Sequence, residues 1–204
     1  MAKNKFDNDF KEVKILYPEL EFSIINGTKY KYKINGILNI TDSEGSHRGV
    51  FRVSLYFKAN YPFGFGALQE ISNVIPREID RHINPDGFCC ICGPIELARY
   101  ERKNVTILHF IQMYVIPFLA NQIHFDEYGY FLNGEYSHNN KGLWESLEEE
   151  FQTKDSDKIN SILEYILSKP TVNHKCYCGS GRKLKHCHVN TVDLILSVLK
   201  KHNI

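Results

Sequence analysis

The chain has 204 residues, with 25 Lys and Arg against 24 Asp and Glu, so its formal net charge is only +1. This balance gives no general reason to expect nucleic acid or an acidic membrane as a partner. With 43% hydrophobic and 24% charged residues, the composition is that of a folded protein and excludes disordered and fibrous classes.

The N-terminal stretch MAKNKFDNDF lacks the apolar core of a signal peptide, and no run of eighteen apolar residues occurs. We therefore expect a cytoplasmic protein with no membrane partner. Because the cytoplasm is reducing, the six cysteines of the chain are expected to serve metal binding, catalysis or packing rather than a disulfide framework.

The first part of the chain predicts a helix followed by strands. An apolar helical spacing opens the chain, and Pro18 stops it. Its members are Phe6, Phe10, Val13 and Leu16. Three segments rich in β-branched and aromatic residues follow: LEFSIIN, KYKYKINGILNIT and RGVFRVSLYF. The turn-forming stretches NGT and DSEGSH separate them, and this pattern predicts an antiparallel meander. LQEISNVI is a candidate fourth strand.

The second part changes to a helical period. Residues 104–122 carry one apolar face, interrupted by Pro117, which is expected to bend the helix or end it early. Such a helix would cover one face of the sheet. Further helices are predicted in GLWESLEEEF, in residues 159–166 and in the terminal TVDLILSVLKKH. QTKDSDK is the expected hinge, which divides the chain into domains 1–152 and 153–204.

The stretch CYCGSGRKLKHCH near the C-terminus has the spacing of a metal site. Its candidate ligands are Cys176, Cys178, Cys187 and His188. Four soft ligands within thirteen positions can surround one Zn²⁺ tetrahedrally, and Gly179 and Gly181 allow the turn between the pairs. No position is then left for substrate, so the zinc is expected to be structural. The alternative is a set of four buried groups without metal.

This stretch resembles the SEC-C zinc motif found at the end of the SecA translocation motor and on many bacterial proteins. The resemblance covers only this segment and implies a small recruitment module with flanking helices. Arg182, Lys183 and Lys185 would contact an acidic partner or phosphates, or would simply solvate the zinc knuckle.

A second cysteine cluster lies in HINPDGFCCICG, residues 82–93. In an extended segment Cys90 and Cys92 point to one side and Cys89 to the other, so one set can be buried while the other is open. Cys90 and Cys92 make at most half of a zinc site.

The order of motifs around this cluster resembles the ubiquitin-conjugating fold. The motifs are YP at residues 61–62, HIN at residues 82–84, Gly87 three residues before Cys90, and a following helix that crosses the sheet. The chain is particularly similar to the prokaryotic branch encoded beside cGAS-like nucleotidyltransferases in CBASS antiphage operons. Shared features there are IPR at residues 75–77, H-x-N-P-D-G at residues 82–87 and G-E-x-S-H at residues 134–138.

The resemblance spans roughly residues 6–150 and implies an α+β fold with an N-terminal helix, a four-stranded antiparallel meander and a crossing helix. It makes Cys90 the acyl-accepting residue and Asn84 the group that positions the loop or hydrogen-bonds the oxyanion. Ile83 replaces the usual proline, and the spacing from Asn84 to Cys90 is shorter than in the eukaryotic branch.

Two histidines complete the implied catalytic set. His82 either orients the turn through a backbone hydrogen bond or transfers protons, and His138 is either a base for the attacking amine or a solvated loop residue. Arg77, Arg81 and His82 could raise the thiolate fraction of Cys90 if they face it.

Four residues near these motifs are expected to be structural. Asp86 is expected to form the turn before Gly87, with a catalytic carboxylate as the alternative, and Tyr61 and Pro62 are expected to pack the loop beneath the site. Cys92 is assigned to packing, with a resolving thiol as the alternative.

The preferred hypothesis is an antiphage transferase. Cys90 would hold as a thioester the C-terminal glycine of a cGAS-like nucleotidyltransferase tail and deliver it to an amine-bearing acceptor. The chain has no adenylating region, so a separate protein or an existing activated acyl group must supply the energy. The alternative is a non-catalytic adaptor that uses the same fold and the zinc knuckle. Zinc-dependent redox chemistry at Cys90 and Cys92 is a third possibility.

Overall fold

A computed structural model describes residues 2–27, 29–132, 137 and 139–202. The helices are α1 Ala2–Leu16, α2 Pro94–Tyr100, α3 Ile107–Phe110, α4 Ile116–Tyr128, α5 Asn139–Phe151, α6 Ser156–Leu167 and α7 Val189–Lys201. The strands are β1 Leu20–Ile24, β2 Tyr32–Thr41, β3 His47–Phe57 and β4 Ala67–Glu70. None of the helices in these ranges combines the length and the hydropathy that a membrane span requires.

The strands form one antiparallel sheet in the order β1-β2-β3-β4, which confirms the predicted meander and the α+β class. The longest pairing joins β2 to β3, from Tyr32 opposite Phe57 to Ile40 opposite Gly49. Of the candidate fourth strand LQEISNVI, residues 68–75, only residues 68–70 pair with β3, and Ala67 before them also pairs; Ile71 leaves the ladder after its amide bonds to the Arg52 carbonyl.

The chain divides into two compact units, residues 1–92 with 100–135 and residues 93–99 with 136–204. The predicted hinge falls between α5 and α6, inside the second unit. The predicted domain boundary at residue 152 therefore does not coincide with the division into compact units.

The core of the first unit lies between the sheet and helices α1, α3 and α4. Phe6 on α1 is fully buried, and its ring stacks on that of Tyr32 with centroids 4.2 Å apart. Tyr61 links two elements of this core, since its hydroxyl donates to Asp9 Oδ2 at 2.5 Å and accepts the Ile107 amide at 3.1 Å. Tyr61 is therefore structural, as predicted.

Pro117 does not end the helical segment. The chain runs from α3 through a π-helical stretch, Ile111–Val115, into α4, where Pro117 occupies the first turn. A first-turn proline removes an amide that has little helical bonding to lose, and a π turn shifts the hydrogen-bond pattern by one residue. Of the two expected effects, the early end is wrong, because the helix continues to Tyr128, and the bend stays a prediction.

The second unit has its own apolar core, built from α2, α5, α6 and α7. Its fully buried residues include Ile159 and Ile166 on α6 and Ile195 on α7. This burial confirms the apolar stripes predicted for the two helices. Asp155 caps α6 by accepting the amides of Asp157 and Lys158. Helix α2 was not predicted, because its seven residues are too few to show a helical period.

Candidate functional site

The segment carrying Cys90 is a short hairpin attached to the edge of the sheet. Its turn is closed by the Asn84 amide bonding to Phe88 O at 2.9 Å and the Gly87 amide bonding to Asn84 O at 2.8 Å. One side of the hairpin pairs with β4, since the Cys89 amide donates to Leu68 O at 2.9 Å. Backbone pairing on both sides therefore fixes the residues next to Cys90.

Cys90 is the exposed member of the central cysteine cluster. Its amide donates to His82 O at 2.8 Å. Cys89 and Cys92, on either side of it, are half-buried and pack against the core of the first unit. Burial raises the pKa of Cys89 to about 12. Cys90 is the most exposed of the three, but partial burial of its thiol also raises its pKa.

Arg77 lies beneath the hairpin but is bonded to other groups. Its Nη1 is 2.9 Å from Oε2 of Glu70, a fully buried carboxylate, and its Nη2 donates to Glu70 O and to Asn73 Oδ1, both at 2.7 Å. Ser72 donates its amide to Glu70 Oε1 at 2.8 Å. Gly87 lies directly against this pair, because an added Cβ would be 2.6 Å from Glu70 O.

Arg81 is buried against helix α4. Its Nη1 is 2.7 Å from Asp126 Oδ1, and its guanidinium lies 4.6 Å from the centroid of the Phe125 ring. Both arginines are thus committed to partners other than Cys90, whose pKa is raised and not lowered. The expected increase in its thiolate fraction is not found.

The remaining predicted residues have mixed outcomes. His82 adopts a left-handed backbone, φ 55°, and its ring centroid is 5.7 Å from that of Phe131, which suits a turn residue. Asn84 is exposed at the turn, so its oxyanion role stays a prediction. Asp86 forms the turn as expected, accepting the Phe88 amide at 3.1 Å. His138 lies outside the described residues.

The C-terminal cluster brings its four predicted ligands together. Their ligand atoms all lie within 4.8 Å of one another and could hold a metal ion, and no other group of this kind occurs in the described part of the chain. The four residues are Cys176, Cys178, Cys187 and His188. Nδ1 of His188 is 3.2 Å from the sulfurs of Cys176 and Cys187, and the sulfurs of Cys178 and Cys187 are 3.5 Å apart.

A small antiparallel bridge presents these ligands. Lys175 pairs with Lys183, and the Cys176 amide donates to Arg182 O at 2.9 Å. Gly179 and Gly181 have φ values of +75° and +73°, which side chains rarely adopt, so the predicted glycine turn is confirmed.

The thiols of Cys176 and Cys178 differ in their environment. Hydrogen bonds from the Ser180 hydroxyl and amide lower the pKa of the exposed Cys178 to about 6, whereas burial raises the pKa of Cys176. An open pocket of about 480 Å³ reaches Cys178 and His188, with walls that include the rings of Tyr165 and Tyr177. The sequence did not predict this pocket, because its walls come from the end of α5, from α6 and from the C-terminal cluster.

No protein-family model matches this chain, and neither does any curated protein. The functional interpretation therefore depends on the geometry of the two cysteine clusters and on the motif resemblance.

Proposed function

We propose that the chain is a ubiquitin-conjugating-like acyl carrier and transferase, with Cys90 as the residue that is acylated. The observation that carries this proposal is the exposure of Cys90 on a hairpin whose two other cysteines are half-buried. Cys90 also lies outside the metal cluster, so its sulfur is available for covalent chemistry. An exposed thiol held by backbone hydrogen bonds on a sheet edge is suited to accept and release an acyl group.

The chemistry takes two steps. Deprotonated Cys90 attacks the carbonyl carbon of an activated acyl donor, either an acyl adenylate or a thioester on another protein, and the C–S bond forms as the donor's leaving group departs. An amine then attacks the Cys90 thioester, a C–N bond forms, and the Cys90 thiolate leaves and takes up a proton. The exposed Asn84 amide is our candidate donor to the developing oxyanion.

The proposed fold is the ubiquitin-conjugating-like one. In its support, an N-terminal helix precedes a four-stranded antiparallel meander, followed by the cysteine hairpin and a long helical segment. On the motif resemblance, we propose that the acyl group is the C-terminal glycine of a cGAS-like nucleotidyltransferase, that the acceptor is an amine, and that the system serves CBASS antiphage defence.

For the metal cluster we propose a structural Zn²⁺ and a SEC-C-type knuckle. With Zn–S bonds of about 2.3 Å, tetrahedral ligands lie roughly 3.5 to 3.8 Å apart, close to the 3.2 and 3.5 Å separations found here. Three thiolates and an imidazole favour zinc over oxygen-seeking cations such as Mg²⁺ or Ca²⁺. Zinc with four protein ligands has no open position, so it would stabilise the fold of this segment.

Incubation with a cGAS-like nucleotidyltransferase whose C-terminal glycine carries a small-thiol thioester tests the transferase, because this donor is already activated. We expect an adduct of the two chains that an added thiol cleaves by thiolysis but a phosphine reductant leaves intact, and a thiol-resistant oxyester in the Cys90→Ser variant, both visible by intact mass and by gels. Cys92→Ser is the matched control and should retain the thiol-sensitive adduct. An adduct that persists in Cys90→Ala, or moves to Cys92, would refute the assignment of Cys90.

A non-catalytic adaptor is the second candidate, and one observation favours it. Burial raises the pKa of Cys90, so little of the thiol is ionised at neutral pH. In this case both cysteine variants would bind the partner as the unmodified chain does, and no covalent adduct would form with any of them.

A further inference from the structure

Arg81 and Gln122 form a buried pair that links the Cys90 hairpin to helix α4. Arg81 is 6% exposed and Gln122 is 1% exposed. The hydrogen bonds between them are reciprocal: Arg81 Nε donates to Gln122 Oε1 at 2.9 Å, and Gln122 Nε2 donates to the Arg81 carbonyl at 3.0 Å. The Arg81 Nη2 group also reaches the Gln122 carbonyl at 3.3 Å.

The carbonyl that Gln122 holds is one residue away from the carbonyl that holds Cys90. Gln122 fixes Arg81 O, the backbone turns at His82 with φ 55°, and His82 O accepts the Cys90 amide at 2.8 Å. Ile83, the next residue, is 2% exposed and bridges to Cys89. One side-chain hydrogen bond from Gln122 and one backbone hydrogen bond from Cys90, made to the carbonyls of the adjacent residues Arg81 and His82, therefore connect α4 to Cys90.

Burying Arg81 and Gln122 removes polar groups from water, which apolar side chains at the same places would not do. A guanidinium loses several kcal/mol of hydration when buried, and an apolar pair of similar volume often gives equal or greater stability. The directed hydrogen bonds of Arg81 and Gln122 do what apolar packing cannot, since they orient one particular carbonyl group.

We propose that Arg81 and Gln122 are positioning residues for Cys90, holding the Arg81–His82 backbone so that the Cys90 thiol is presented at a fixed place. The assignment rests on the proposed function of Cys90 as the acylated residue. It extends that function by naming the groups that set the geometry of its thiol, although neither side chain is bonded to Cys90 itself.

Two measurements on Gln122→Leu and Arg81→Lys test the pair. The first is the pH profile of Cys90 alkylation by iodoacetamide, followed by peptide mass mapping on the free protein. We expect the midpoint in both variants to move down towards that of an ordinary thiol, because a loosened hairpin admits water to the sulfur. The second is the rate of adduct formation with the nucleotidyltransferase, which should fall about 10- to 100-fold at saturating partner with an unchanged half-saturating concentration.

Arg48→Met is the matched control. Arg48 also pairs with a carboxylate of α4, Glu127, but both side chains are well exposed. This variant should keep the wild-type alkylation midpoint and adduct rate. Arg81→Lys retains a charge opposite Asp126, so it guards against the possibility that Gln122→Leu fails to fold.

Wild-type alkylation midpoints in both folded variants would overturn the proposal, as would midpoint shifts equal to that of Arg48→Met. The alkylation profile needs no partner. If the unmodified chain forms no adduct with the activated donor, the transferase proposal fails, and the alkylation midpoints still decide whether Arg81 and Gln122 position the thiol.

Discussion

Substitution of Gly87 by alanine tests how tightly the Cys90 hairpin is seated on the sheet. Gly87 has a φ of +84°, and a Cβ at this position would lie 2.6 Å from Glu70 O and 3.3 Å from the Arg77 guanidinium. Gly45 offers a matched comparison, because its φ is +82° and an added Cβ would meet nothing within 4 Å. The two variants share the same backbone strain and differ only in the clash.

The expected magnitudes follow from this geometry. Left-handed backbone costs an alanine about 1 to 2 kcal/mol relative to glycine, and this cost applies to both variants. The clash at Gly87 adds roughly 1 to 3 kcal/mol, the usual penalty for overpacking. Glu70 O cannot move away freely, because Arg77 Nη2 donates to it at 2.7 Å and the Glu70 amide is itself bonded to Gly87 O at 2.9 Å.

Urea unfolding followed by far-ultraviolet circular dichroism measures the difference. We expect Gly87→Ala to lose roughly 1 to 3 kcal/mol more unfolding free energy than Gly45→Ala. Its Cys90 thiol should also react with iodoacetamide at a changed rate, while Gly45→Ala keeps the rate of the unmodified chain. Equal losses within about 0.5 kcal/mol, the usual limit for neutral surface changes, would show that the hairpin is not seated on Glu70 as described.

Three further outcomes are expected. Phe6→Ala should destabilise the first unit by about 3 to 5 kcal/mol in urea unfolding, since Phe6 is fully buried, whereas Phe63→Ala, at a ring that is 55% exposed, should cost much less. Alkylation of Cys90 should accelerate as pH rises through its raised pKa, and Cys89, with a pKa of about 12, should remain unmodified at pH 9 by mass mapping. Chelation should release about one zinc per chain by elemental analysis and open residues 175–188 to protease; no released metal, or an unchanged digestion pattern, would contradict the structural zinc site.

Features encoded over a few residues were predictable from the sequence. The periodicities of α1, α6 and α7 and the alternation of the first three strands each report the burial of a single element, and that burial leaves its pattern in the element's own residues. The C-terminal cluster is local as well, because its four ligands and both turn glycines lie within thirteen positions. The spacing in the sequence was therefore enough to predict that these four ligands lie close together.

Contacts between distant segments were decided by the tertiary structure alone. Gln122 lies 41 residues from Arg81, and Glu70 lies 17 residues from Gly87, so no periodic pattern links these pairs. The two arginines suggested an activated thiol in the sequence, but the fold directs both towards carboxylates and carbonyls of neighbouring elements. Directional bonds across a packed core depend on where whole helices and strands come to lie, and this is a property of the assembled fold that no short stretch of residues contains.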